Sequence, residues 1–132
     1  MTARGLRAGD CIAGLLPRTP ELLITILATW RIGAVYQPLF TAFESKAIEH
    51  RINTAQTKLI ITNQEQHSKL NDLSIPHILT VHPTPDCAEE DADFWTEIKQ
   101  YPSDFEPVQG RFSDIFLMMF TSGTTGLAKS VP

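Results

Sequence analysis

Nine residues near the end of the chain, Thr121 to Lys129, hold four hydroxyls (Thr121, Ser122, Thr124, Thr125), two glycines (Gly123, Gly126) and a closing lysine. Glycine lets a backbone turn sharply and brings its N–H groups close to an anion. Hydroxyls add donors with little bulk, and the lysine ammonium supplies a mobile positive charge suited to phosphate. This is the chemistry of a phosphate grip; the simpler alternative is a plain Ser/Thr/Gly turn. Position favours the grip. The segment follows Ile115–Phe120 (IFLMMF), the most apolar strand candidate, and ligand sites in open α/β sheets gather at the carboxyl ends of strands.

Two loop types compete for these residues. Gly123 and Ala128-Lys129-Ser130 fit the P-loop spacing G-x-x-x-x-G-K-[ST] with one departure, alanine for the second glycine. A P-loop opens a helix at its lysine, so that helical N–H groups face the phosphates. Val131-Pro132 opposes that, because the residue before a proline is biased away from the α region. The P-loop is therefore the weaker of the two fits.

The elements that must carry such a loop alternate in type. Cys11–Leu16 is a short apolar run. Thr19, Pro20 and Glu21 then supply a cap, a first helical position and a favourable charge for a helix over Thr19–Ile32. Leu22, Leu23, Ile26, Leu27 and Trp30 fall on one face of it, which the periodicity makes the core face, with Trp30 in the core and Gly33 ending the helix. Ala34–Leu39 reads as a strand closed near Pro38. Ser45–Ala55 is a second amphipathic helix, with Ala47, Ile48, Ile52 and Ala55 on one side. Lys58–Thr62 and His77–Val81 are strands, with a short polar helical stretch near Gln64–Leu70 between them. His82–Asp93 is an exposed loop, Phe94–Gln100 one or two helical turns, and Pro102–Asp114 a loop leading to Ile115–Phe120. Alternating strands and helices predict an α/β fold: a mostly parallel sheet with flanking helices in one compact unit.

Composition narrows the function classes. The 132 residues are 42% hydrophobic and carry a formal charge of −4, which argues against nucleic-acid or anionic-membrane partners. Cys11 and Cys87 lie far apart without metal-ligand spacing and read as reduced thiols. The longest apolar run, Leu22–Trp30, is short of a membrane span, and no secretory signal is evident, so a cytoplasmic location is expected. His50, His67, His77 and His82 show no ligand spacing, and the acidic group Glu89, Glu90, Asp91 and Asp93 lacks the EF-hand pattern. No metal ligand is assigned.

The terminal stretch Phe120–Val131 (FTSGTTGLAKSV) resembles the signature loop of the adenylate-forming, AMP-binding superfamily: an aromatic residue, T-S-G-[ST]-T-G, a variable residue, then P-K-G-V. Ala128 stands in place of the proline and Ser130 in place of the last glycine. Gly5–Leu39 resembles the family's first strand–helix–strand stretch, and Phe40–Thr62 the following helix and strand. Within the superfamily the chain is most similar to acetyl-CoA-synthetase-like and other acyl-CoA ligases. The resemblance implies a two-step ligation. A carboxylate attacks the α-phosphate of ATP, giving an acyl-adenylate and pyrophosphate, and the thiol of coenzyme A then takes the acyl group. It further implies that Thr121, Ser122, Gly123, Thr124, Thr125, Gly126 and Lys129 hold the β- and γ-phosphates together with Mg²⁺. Phe40-Thr41-Ala42 falls where relatives place a loop near coenzyme A.

The family's adenine-binding segment, acidic Mg²⁺ ligand, ribose-binding aspartate and mobile domain with the lysine of the first step have no counterpart in these residues. The expectation is an internal piece of a ligase: a partial AMP-binding domain over residues 1–132, part of the large N-terminal domain, ending at the phosphate loop and inactive alone. No catalytic residue is assigned. A free-standing, non-catalytic phosphate- or nucleotide-binding module, with the P-loop as its variant, and an inactive remnant remain as alternatives.

Overall fold

The computed structural model describes residues 4–83, 85, 92–122 and 128–131, with residues 121–122 and 128–131 described by their backbone. Five strands form one sheet: β1 (Cys11–Leu15), β2 (Val35–Pro38), β3 (Leu59–Asn63), β4 (His77–Val81) and β5 (Ala92–Asp93), in the order β2-β1-β3-β4-β5. All four pairings are parallel. The helices are α1 (Pro20–Arg31), α2 (Ser45–Ala55), α3 (Gln64–His67), continued by a 3₁₀ turn over Ser68–Leu70, and α4 (Phe94–Lys99). The α/β fold class read from the sequence is the one observed.

The chain steps from β1 outward to β2 and then back across β1 to β3, which sends α1 and α2 to opposite faces of the sheet. Alternate side chains of each strand divide accordingly. Ile12, Leu59, Ile61, Leu79 and Val81 pack on the side of α1 and α4, with Ile32 and Phe94. Ala13, Leu15 and Ile60 pack on the other side, with Ile48 and Ile52 of α2 and Leu70. With both faces covered, the strands are apolar runs, as parallel strands must be.

Local signals work as expected at most boundaries. Pro20 opens α1 and Gly33, at φ +75°, follows its end; a Cβ there would lie 3.1 Å from Ala8 and Val108. Gln56 closes α2 in the left-handed region at φ 52°. The Asn63 carboxamide oxygen accepts from the Gln66 N–H at 3.0 Å to cap α3, and Asp93 accepts from the Thr96 N–H at 2.8 Å to cap α4.

Two expectations need correction. The core face of α1 is only in part the leucine stripe: Leu22 packs against the core and Thr25 and Thr29 are fully buried, whereas Leu23 (59% exposed), Leu27 (49%) and Trp30 (39%) face outward. Threonine can be buried here because its hydroxyl donates back along the helix, Thr25 to the Glu21 carbonyl at 2.8 Å and Thr29 to the Thr25 carbonyl at 2.7 Å. Its polar atom is thus satisfied, and a small side chain lets the helix lie close to the sheet. Trp30, expected in the core, instead donates its indole N–H to the Phe116 carbonyl at 2.8 Å and meets the Phe116 ring edge-on at 5.7 Å.

The second correction concerns Ile115–Phe120. Only Leu117 joins the main sheet, by a single parallel bridge to Tyr36. The Tyr36 N–H donates to the Phe116 carbonyl at 3.0 Å, and the Met118 N–H to the Tyr36 carbonyl at 2.9 Å. Beyond the bridge the chain forms β6 (Met119–Ser122), which pairs with β7 (Ala128–Val131) in a separate antiparallel hairpin. Ile115, Phe116 and Met119 are exposed rather than buried. The physical reason is location: β2 is the edge of the sheet, and the segment beside it has no second layer among the described residues.

Candidate phosphate-binding site

The hairpin is where the sequence-derived site residues fall. Thr121 and Ser122 end β6, and Lys129 lies in β7. The ladder pairs Met119 with Val131, Phe120 with Ser130, Thr121 with Lys129 and Ser122 with Ala128. The backbone therefore brings Thr121 and Lys129 to the same level, directly across from each other. Gly123, Thr124, Thr125 and Gly126 lie outside the described residues. Because Leu117 runs parallel to β2, the hairpin leaves the sheet toward the carboxyl ends of its strands, the edge on which the sequence placed the loop. Lys129 lies in extended backbone paired to β6. A P-loop would instead begin a helix there.

The foot of the hairpin rests on α2, beside which β7 also runs. The Arg51 guanidinium lies 4.0 Å from the centre of the Phe43 ring and 5.8 Å from that of Phe120. His50 meets Phe120 edge-on at 6.2 Å. Partial burial pushes the Arg51 pKa down from its ordinary value, and arginine keeps its charge under such shifts. Arg51 donates to the Ala47 carbonyl at 2.8 Å, and its own carbonyl accepts from the Gln37 amide at 3.1 Å. Gln37 is fully buried, and its carboxamide oxygen takes the Thr57 hydroxyl at 2.6 Å. The sequence reading missed Arg51, Phe43 and Gln37. Phe120 reaches Arg51 only through the fold, and none of the three carries a motif of its own.

Phe40-Thr41-Ala42 forms the turn ahead of α2. Phe40 is exposed and tilts against Phe43 at 5.2 Å, and the Lys69 ammonium donates to the Thr41 carbonyl at 2.6 Å. A crevice of about 280 Å³ opens at the carboxyl ends of β1, β3 and β4, lined by Leu16, Thr19, Glu21, Asn63, Glu65 and His82 among others. None of the described residues of β6 and β7 lines it.

Cys11 is free and buried, and desolvation, aided by the Asp10 charge and opposed by the Thr57 hydroxyl, pushes its thiol up to about 11. Such a thiol is inert near neutrality. Cys87, Glu89, Glu90 and Asp91 lie outside the described residues. Among the described residues no group of three His, Cys, Asp or Glu could hold a metal, and no helix is long and apolar enough to cross a membrane.

The same fold occurs in known proteins. An acyl-CoA synthetase from Brucella canis superposes with a TM-score of 0.89 at 48% identity, over 99% of this chain and 24% of that one. Acetyl-coenzyme A synthetase 1 of Debaryomyces hansenii is 31% identical over 99% of this chain and 22% of its own length. The Saccharomyces cerevisiae acetyl-coenzyme A synthetase 1 is also 31% identical, over 96% of this chain and 20% of its own length. The chain thus spans about a fifth of the curated relatives it matches. The AMP-binding enzyme family model matches residues 1–132, so the resemblance seen in the terminal loop extends over the whole length, and the chain belongs to the AMP-binding enzyme family.

Proposed function

We propose that these residues supply the phosphate-binding part of an ATP-dependent acyl-CoA ligase, which activates a carboxylate as its acyl-adenylate and passes the acyl group to coenzyme A. The observation that carries this reading is the antiparallel pairing of β6 with β7, which sets Thr121 across from Lys129, in a chain of the AMP-binding family. The hydroxyls of Thr121, Ser122, Thr124 and Thr125 and the N–H groups around Gly123 and Gly126 would hold the β- and γ-phosphates. Lys129 would stabilise the charge that builds on the departing pyrophosphate. The described residues offer no metal cluster of their own, so Mg²⁺ would come in on the nucleotide's phosphates, as it does at many phosphoryl sites.

Adenylation also requires the carboxylate to be held against the α-phosphate, and positioning of that kind supplies several kcal/mol of a barrier. These 132 residues, a fifth of the length of the relatives, are expected to bind phosphate without turnover. The test is calorimetric titration of the chain with magnesium pyrophosphate, with carboxylate-dependent pyrophosphate release assayed in parallel. Weak binding that falls about tenfold in Lys129→Ala, the scale of one charge-assisted contact, supports the reading. Binding unaffected by Lys129→Ala would overturn the phosphate assignment, and turnover above background would overturn the expected inactivity.

A further inference from the structure

We propose that Arg51 is a positioning residue for the phosphate loop, acting through a ring–guanidinium–ring stack that clamps the strand leading into it. The inference rests on the phosphate reading for its functional consequence, though the clamp itself can be tested without any ligand. The Arg51 guanidinium lies over the rings of Phe43 and Phe120, 4.0 Å and 5.8 Å from their centres, within the range in which a cation is held by an aromatic face. Its own position is set twice, once from α2 and once from β2. The guanidinium is tied to the Ala47 carbonyl, and the backbone carbonyl to buried Gln37. Phe120 directly precedes Thr121 and stands across the ladder from Ser130, the neighbour of Lys129. A hold on Phe120 is therefore a hold on both strands one step below the first phosphate-binding residues.

The need for such a clamp follows from how weakly the hairpin joins the sheet. One parallel bridge, Tyr36 to Leu117, connects it to β2, and the Trp30 contacts reach only Phe116. Both lie upstream of the hairpin. Donors that stabilise a phosphate must be held in place before the ligand arrives, and the stack supplies a hold at the level of Phe120. Arginine suits the role because a broad, planar guanidinium can face two rings at once, which a compact lysine ammonium cannot reproduce.

The experiment compares the wild-type chain with Arg51→Met, Arg51→Lys and Phe43→Leu, by amide hydrogen exchange without ligand and by titration with magnesium pyrophosphate. In Arg51→Met, exchange at Met119–Ser122 and Ala128–Val131 is expected to quicken about tenfold, while Ile12 and Ile60 in the sheet stay within twofold. Pyrophosphate affinity should fall about fivefold, a loss on the scale of one partly exposed cation–aromatic contact. Arg51→Lys should recover only part of both effects. Hairpin exchange at the wild-type rate in Arg51→Met would overturn the proposal. So would acceleration spread evenly over hairpin and sheet, which marks a general structural role. Should Arg51→Met fail to fold, Phe43→Leu removes one ring and leaves the helix intact; hairpin-confined acceleration there supports the clamp, and its absence overturns it. If Arg51→Met loosens the hairpin while Lys129→Ala leaves pyrophosphate affinity unchanged, the clamp stands and the phosphate reading fails.

Discussion

The five-stranded sheet and the β6–β7 hairpin are held by different means. Each central strand of the sheet is buried on both faces, and Ile12, Leu59, Ile60 and Ile61 are wholly inaccessible. Among the described residues, the hairpin meets the rest of the molecule through a single backbone bridge, the Arg51–Phe120 contact and the flank of α2. The segment leading into it carries exposed Ile115, Phe116 and Met119. Burial on two sides makes the sheet the source of stability, and the hairpin carries the residues proposed for phosphate binding. Substitutions in the two regions should therefore separate stability from binding.

The largest effect belongs to the sheet. Ile60 sits in β3 between β1 and β4 and packs with Ile48, Ile52 and Leu70 beneath α2. Ile60→Ala deletes its outer side chain from a site with no room to collapse and is expected to cost about 2–5 kcal/mol. For a single domain of this size that is much of the total stability. Urea unfolding followed by far-ultraviolet dichroism measures it. A loss below about 1 kcal/mol would mean that the sheet is not the stabilising unit.

A second effect, of intermediate size, appears with pH. Cys11 is protonated in the fold up to about 11, chiefly through desolvation, against an ordinary value of 9.0. The folded pKa is the higher one, so the unfolded chain loses its proton first and stability falls as pH rises through that interval. Its contribution is fully present below about pH 9 and is lost as pH approaches 11. Complete loss corresponds to roughly 2 kcal/mol. Tyr36, pushed up to about 12 by burial, adds a loss of the same sign at higher pH. Urea midpoints at pH 8.5 and 10 should therefore drop in the wild type and drop less in Cys11→Ala. An identical drop in both proteins would assign the alkaline loss to other groups.

The same contrast explains what was legible in the sequence. Helix α2 was readable to its ends, Ser45 and Ala55, because Ile48 and Ile52 set the period and the helix rests on a complete sheet. β3 and β4 were readable because double burial requires uninterrupted apolar runs. The ladder that sets Thr121 opposite Lys129 came from the fold; as candidates for phosphate chemistry the two residues were readable. The role of Ile115–Phe120 was not, because apolarity reports that a segment wants cover and says nothing of which layer provides it. Arg51 was illegible for another reason. Its partners, Phe43 and Phe120, are brought to it by the fold alone.

Leu27, on helix α1, offers the smallest effect and the sharpest check on this distinction. Periodicity points to Leu23 and Leu27 as core residues, and the structure points instead to Thr25 and Thr29. Leu27 is about half exposed, so Leu27→Lys forfeits little burial, and lysine is as good a helix former as leucine. The expected change is within about 0.5 kcal/mol, typical of a surface substitution. Thr25→Lys at the opposite face must bury an ammonium where a hydroxyl was satisfied by the Glu21 carbonyl, and should cost several kcal/mol or prevent folding. Thermal or urea unfolding of the two variants decides which face is the core. If Leu27→Lys proves the more damaging, the leucine stripe is buried in solution, and the division drawn here between a sealed sheet and an exposed outer layer is wrong at α1.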